Sequence, residues 1–571
     1  MTNLYLIRNF ILLSLIAIAV FSCKKKEKIQ PPPQIDTIST ANLKPSTQHI
    51  SMLTQHFDNS RAGLNDKEAE LMVANVNSSS FGKLFSLAVD DQVYAQPLVV
   101  GNVSVSSGTR NVVFVATVNN TVYAFDADNG KPYWHANYTF NGMRPPAATD
   151  MNSGWCTPYL DFTKNMGIVG TPVIDSTVQT MYFVARSTDG KNFVQFLHAV
   201  SIADGSERSG SPVQIYASVN GTGDGAVNGK VNFDPMRNNQ RQPLLLLNGV
   251  VYISFSSHCD WNPYHGWILG YDSHSLQQKI IYNDTPSGEG GGLWESGMGI
   301  VADPQGNIYE VSGNGTVGEG GHFNSTGNGT DEESPNPNPS NTENRSESAI
   351  KLTPSGGTLA VTDFFTPTNY LDLNGNDLDY GVMGSFLVPN SNYYITGCKD
   401  GNIYVLNTSN MGGYSGTANQ VLQTIPLGVS LHCQPAYYQG AGSGNVFIWS
   451  ENDKLRQFQF NNGSMSTGST VAGVGGVSGG VGANLSVSSN GTKSGTGILW
   501  AWSPLANADG TLAQGVLYAF DATDVTKLLW SSSQKSGDAP GFFTKFCAPT
   551  VVDGHVYLAT FSNKVVVYGL K

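Results

Sequence analysis

At 571 residues the chain is long enough for several domains or for one large closed β architecture. Its 64 Gly, 24 Tyr and 26 Phe, with only 13% charged residues, suit short strands joined by tight turns and argue against a helical protein, which would need more Glu, Lys and Ala. The formal charge of −12, about −13 once residues 1 to 22 with their single charged side chain Arg8 are set aside, argues against a nucleic-acid partner held by phosphate neutralisation.

Arg8 precedes an apolar run from Phe10 to Phe21, too short for a comfortable membrane span and suited to a signal-peptide core. It ends in Val20-Phe21-Ser22-Cys23, which resembles a bacterial lipobox, in which a small residue precedes a cysteine that is acylated and becomes the new first residue. The resemblance implies a signal peptide over 1–22, lipidation at Cys23, an extracytoplasmic mature chain and, with no Asp after Cys23, an outer-membrane location. The alternative is an ordinary signal peptide with an incidental cysteine. Lys24 to Lys26 and Pro31 to Pro33 then make 23–50 a solvated tether with an extended section.

Residues 51–80 read as a lead-in, with a short helix expected around Asp66 to Val73. Phe81 to Val89, FGKLFSLAV, is strand-like and has no adjacent partner. From Ala95 a unit recurs: an opening strand often marked by Pro, a hairpin of apolar strands, and an outer strand. The clearest copy runs from Asn111 to Trp134, where Asn119-Asn120 supplies a tight turn and Asp126 to Gly130 a second one. Openings fall at AQPLVV (95), GTPVID (170), RQPLLLL (241), GMGIVAD (297), GSFLVPN (384), CQPAYY (433), ANLSVSS (483) and CAPTVVD (547). Eight openings at irregular spacing predict an all-β fold, a single β-propeller of about eight four-stranded blades over 81–571. The last copy stops after its hairpin. FGKLFSLAV resembles the outer strand TKLLWSSSQ at 526, so the amino-terminal strand is expected to close the final blade and remove a free edge. An open array or two β-sandwiches are the alternatives. Gly313 to Ser348 is poor in apolar residues and is expected to be a disordered insertion on one face of the ring.

YAFDADNGKPYW (123 to 134) and YAFDATDVTKLLW (518 to 530) resemble the repeat of pyrroloquinoline-quinone-type propellers, the quinoprotein alcohol dehydrogenase-like proteins. That resemblance extends loosely over 81–571 and implies that Trp134 and Trp530 dock each blade on its neighbour. In the dehydrogenases it implies a quinone over the channel, Ca²⁺ bound by Glu, Asn and Asp, a catalytic Asp, and usually two adjacent cysteines. This sequence has no Cys-Cys pair and no Cys-x-x-Cys-His. Glu295 and Asp303 are the residues that could take metal and base roles, although charged residues at blade ends are commonly turn or rim residues. The repeat is also shared with non-enzymatic scaffolds, including an outer-membrane assembly lipoprotein.

Other constellations need weighing. Asp372, Asn374, Asn376, Asp377 and Asp379 place oxygen ligands around a Gly as a calcium loop begins, but position 381 is Gly where the closing Glu would stand. Structural calcium and a solvated acidic turn both remain open. The five cysteines beyond Cys23 are Cys156, Cys259, Cys398, Cys433 and Cys547, an odd number, and Cys433 and Cys547 hold equivalent places two blades apart, too far for a direct bond. His258-Cys259-Asp260 with Tyr264-His265 is a dense cluster of reactive side chains, read as loop packing ahead of a Cys nucleophile. Gly473 to Gly480 lacks the strand-to-helix setting of a phosphate loop. Trp155, Tyr159, Trp261, Tyr264 and Trp294 are the first candidates for an exposed binding face, with interblade core as the alternative. The sequence thus points to a lipid-anchored envelope propeller that binds an unknown protein or glycan without catalysis and without pyrroloquinoline quinone. The other reading is a quinone-dependent dehydrogenase of alcohols or sugars.

Overall fold

The eight openings are the first strands of eight blades. The computed structural model describes residues 46, 48–105, 107–152, 157–319, 338–473 and 480–571. The signal peptide, Cys23, most of the tether, Trp155, Cys156, the centre of the 313–348 insertion and most of the Gly473 to Gly480 segment lie outside the described residues. Blades 1 to 8 begin with Leu98–Val105, Val173–Asp175, Leu245–Leu247, Val301–Ala302, Phe386–Leu387, Ala436–Gln439, Asn484–Ser488 and Thr550–Val552. Each of these inner strands pairs antiparallel with the next in sequence, and the sheets are built outward as meanders.

Ring closure follows the expected route. Phe81–Ala88 pairs antiparallel with Lys564–Leu570, from Phe81 opposite Leu570 to Ala88 opposite Lys564, and completes blade 8. The first and last strands of the propeller therefore share one sheet, and Lys564–Leu570 is an interior strand of it.

Among the described residues the apolar core is divided between the blades. Eight buried clusters each join one blade to the next, from the Phe114, Trp134 and Phe183 cluster between blades 1 and 2 to the Phe85, Tyr123 and Tyr557 cluster between blades 8 and 1. Trp134 and Trp530 occupy equivalent outer strands and pack into the following blade. The indole Nε1 of Trp134 donates to the Ile202 carbonyl at 3.0 Å. Its ring lies where a Cβ on Gly205 would come within 2.8 Å, so that turn, with φ +73°, has to be glycine. Trp530 is fully buried against Phe81 and Tyr568, ring centroids 5.0 and 5.5 Å away.

Residues 51–80 are more than a lead-in. They contain no helix, and from Met52 to Glu68 the chain runs around one mouth of the channel, meeting the inner strand of every blade in order. The amides of Val99, Ile174, Ala302, Leu387, Tyr437 and Val487, one from each of blades 1, 2, 4, 5, 6 and 7, donate to the carbonyls of Met52, Leu53, Asn59, Ser60, Ala62 and Gly63 at 2.7 to 3.2 Å. At blade 3 the Asn59 side chain donates its Nδ2 to the Leu246 carbonyl, and at blade 8 the Asn65 side chain donates its Nδ2 to the Val551 carbonyl. Each inner strand would otherwise present unpaired polar backbone to the channel. The helix expected over Asp66 to Val73 does not form: the Asp66 carbonyl accepts the Gly491 amide, the Glu68 carboxylate accepts the Glu70 and Leu71 amides, and the Val73 amide donates to the Gly495 carbonyl.

The insertion after blade 4's second strand also differs from expectation in its described parts. Val317–Gly318 pairs with Asn344–Arg345, and residues 344–348 are fully buried. Polar composition predicted disorder there, but the polar groups are buried against each other: Arg345 donates to Thr366 and to the carbonyls of Pro339 and Asn341, and Glu347 accepts the Tyr380 amide.

Trp530→Ala should lower the unfolding free energy by about 3–5 kcal/mol, because a cavity opens beside the closing strand. Urea unfolding followed by tryptophan fluorescence reads this, and a loss below about 1 kcal/mol would contradict the docking role.

Candidate functional site

The mouth opposite the Met52 to Glu68 plug is formed where the inner strands begin. Tyr94, Val169, Arg241, Gly297 and Phe546 come from five blades and converge there with Asp161, Phe162 and Lys545. The Arg241 guanidinium lies 4.5 Å from the Phe546 ring centre and 5.4 Å from that of Trp294, filling the axis with a cation between aromatic faces. Lys545 pairs with Asp509 at 3.1 Å and approaches Asp161 at 3.8 Å. Among these residues lies a cavity of about 20 Å³, room for a single water.

Below this stopper the channel is polar. Three openings carry Gln before Pro, and Gln96, Gln242 and Gln434 are all buried. Gln434 donates across the ring to the carbonyls of Ser296 and Phe546, and Gln96 to that of Pro549. From the plug, Arg61 is fully buried and donates to Thr54 Oγ1, Gln55 O and Leu244 O at 2.6, 2.7 and 3.2 Å. Burial lowers its pKa to about 10, against the pull of Asp58 and Glu295. Burial likewise lifts Glu295 to about 7, although its carboxylate accepts Ser385 Oγ and the Val311 amide.

Glu295 and Asp303 do not share a site. Glu295 sits where blade 4's inner strand begins, whereas Asp303 follows its other end, in a turn where it accepts the Gln305 and Asn307 amides and the Tyr309 hydroxyl.

The candidate calcium ligands are not gathered around one point either. Tyr370–Gly375 winds into a short helix that sends alternate side chains apart. Asp372 accepts from Asn376, and Asn374 makes two hydrogen bonds to the Gly315 backbone. Asp377 and Asp379 pair with Lys399 at 3.2 and 2.5 Å. Burial opposes the Lys399 charge, but the two carboxylates more than offset this and raise its pKa. Among the described residues no group of three or more His, Cys, Asp or Glu is spaced to hold a metal.

The proposed aromatic face is mostly packing. Tyr159 and Tyr264 are buried, their hydroxyls bonded to His258 Nδ1 at 2.8 Å and Asp260 Oδ1 at 2.6 Å. Trp261 and Trp294 are half-buried under Arg237 and Arg241. Burial holds His258 well below the ordinary imidazole value, helped by Arg186 and Arg241, and lifts Asp260 to about 7, helped by Asp379 and Asp377. Cys259 is disulfide-bonded, so it is no nucleophile beside His258. Cys398, Cys433 and Cys547 are buried free thiols.

The plugged mouth is different. There the plug floors a bowl of about 820 Å³ whose walls are the far ends of the inner strands of blades 2 to 5. Its lining includes Phe57, Asp58, Asp303, Asn390 and Asn392. Neither the plug nor this bowl was found from the sequence. The repeated Gln-Pro openings could have marked the channel residues, but nothing in the composition of 51–68 distinguishes a plug from a linker.

No family model matches the chain, and no curated protein matches it in sequence. Among solved structures, the chain is similar to the quinohaemoprotein alcohol dehydrogenase of Pseudomonas putida HK5, with 14% identity, a TM-score of 0.54, and coverage of 91% of this chain and 80% of that one. The quinohaemoprotein alcohol dehydrogenase of Comamonas testosteroni gives 14%, 0.52, 91% and 80%. A europium-containing methanol dehydrogenase gives 12%, 0.52, 92% and 98%. These likenesses establish the eight-bladed propeller. Ligand pockets run to roughly 300–1,000 Å³, whereas the cavity beside Arg241 among the described residues holds about 20 Å³.

A pH experiment tests the buried carboxyl. With a folded pKa near 7 against an ordinary 4.5, Glu295 favours the fold when protonated, and this contribution is lost as pH rises from about 4.5 through 7. Glu295→Gln mimics the protonated form. Its Tm relative to the parent should therefore rise from pH 5 to about pH 7 and level off above that in differential scanning fluorimetry; a gap that does not change with pH contradicts the assignment.

Proposed function

We propose that this quinoprotein-like propeller is a lipid-anchored, non-catalytic binding module of the cell envelope. The observation that carries the reading is that both mouths of its channel are closed by its own residues. The plug bonds every blade at one end, and Arg241 between Phe546 and Trp294 fills the other. An enzyme built around the axis needs space there for cofactor and substrate together, whereas a binding module needs only its outer surfaces.

The location rests on the amino-terminal signal and on Cys23. The disulfide at Cys259 supports it, since such bonds persist in oxidising compartments outside the cytoplasm. The partner is an envelope protein or a glycan, and the reading requires neither quinone nor metal. The competing reading, a quinone-dependent dehydrogenase of alcohols or sugars, draws on the fold likeness alone.

Incubation with pyrroloquinoline quinone and Ca²⁺ should give no stoichiometric quinone absorbance and no dye reduction with alcohols or aldoses. One-to-one binding at micromolar quinone would overturn the non-catalytic reading. Cys23→Ala should move the protein from the membrane to the soluble fraction of its host, and retention in the membrane would contradict the lipid anchor.

A further inference from the structure

We infer that the bowl on the plugged face is a binding site for a neutral oligosaccharide, with Phe57 as the platform on which a sugar ring stacks; the inference rests on the binding-module reading and names its ligand class. Its volume, about 820 Å³, lies in the range of ligand pockets, roughly 300–1,000 Å³. The backbone that displays Phe57 is strained. His56, Phe57 and Arg61 have φ of 54°, 79° and 57°, a region that a bulky side chain rarely enters. Such a conformation costs stability and persists when the surroundings impose it, most often at functional positions. Here the turn is held from the channel side. Gln96 accepts the His56 amide, the Asp58 carbonyl accepts the Arg61 amide, and Arg61 grips Thr54 and the Gln55 carbonyl. Phe57 is left half-buried at the bowl, outside every interblade cluster, with Lys67 Nζ 6.0 Å from its ring centre.

The rest of the lining selects the ligand. A pyranose presents an apolar C–H face and an edge of hydroxyls. The bowl offers Phe57 and the aliphatic ends of inner strands to the first. To the second it offers Asp66, Gln305, Asn390 and Asn392, whose side-chain groups make no hydrogen bond among the described residues. Amide and carboxylate groups together both donate to and accept from hydroxyls. The described lining itself carries Asp58, Asp66 and Asp303 and no basic side chain, and these carboxylates outnumber the single ammonium of Lys67 beside the Phe57 ring, so anionic ligands are disfavoured. A peptide added as a strand is disfavoured as well, because the plug already occupies the inner-strand edges that it would need.

The test uses the purified chain on an array of soluble oligosaccharides, neutral and anionic, with a basic peptide as comparator, followed by calorimetry of the strongest neutral binder. Phe57→Gly removes the ring and suits the positive φ, so it should leave Tm unchanged or raised while weakening binding by about tenfold or more. Asn390→Ala with Asn392→Ala should weaken it several-fold. Failure of every neutral oligosaccharide to bind, or binding indifferent to both variants, overturns the proposal. A Tm loss above about 5 °C in Phe57→Gly does so too, since the ring would then be packing. Phe57-dependent binding of the basic peptide alone would overturn the glycan assignment and leave the binding-module reading standing, whereas stoichiometric quinone binding would remove both.

Discussion

Everything in this fold depends on how the inner strands are satisfied. A propeller blade has two edges, and its inner one faces the channel, where a sheet that simply stopped would leave backbone amides without acceptors. Here a single segment answers all eight blades, winding round the mouth from Met52 to Glu68 and pairing with the strands in blade order. Each hydrogen bond contributes about 0.5–1.5 kcal/mol net, but leaving the buried amide unpaired would cost about 1–3 kcal/mol. The plug therefore belongs to the propeller as much as the closing strand Phe81–Ala88 does. The two segments act on different edges, one on the inner edges of the ring and the other on the outer edge of blade 8.

The consequences for function run from that constraint. A channel plugged from one side and blocked by Arg241 on the other is a structural axis, lined by groups such as Gln96, Gln434 and Arg61 that bond across it. The same scaffold in the quinohaemoprotein dehydrogenases shares the fold with this chain at low sequence identity. Among the described residues this molecule leaves a bowl of about 820 Å³ on the outer side of its own plug, around a strained aromatic residue, and about 20 Å³ beside Arg241.

Much of the architecture was legible in the sequence because it repeats. The eight openings each became an inner strand, FGKLFSLAV closed the ring, and the two tryptophans of the best-kept repeats sit between neighbouring blades. Features that occur once were harder to read. The plug carries no periodicity because its partners are eight different strands, so its spacing reflects the ring and not a helix or a sheet. Residues 344–348 are polar yet buried, since Arg345 and Glu347 meet partners that lie far apart in sequence. Tyr159 and Tyr264 looked like surface aromatics by composition, and whether His258 and Asp260 would cover them could not be read from spacing. Asp372 to Asp379 resembled a calcium loop in residue type, but a turn of helix separates Asp372 from Asn374, and Asp377 and Asp379 share the Lys399 amine.

Native-state hydrogen exchange on the full chain addresses the central claim directly, by following the amides of Val99, Ile174, Ala302, Leu387, Tyr437 and Val487. If the plug is an integral part of the ring, these six amides are protected and exchange together, with the free energy of global unfolding. Exchange of the six within seconds, while the second and third strands of the same blades stay protected, would show that the segment only rests on the mouth and would contradict the account.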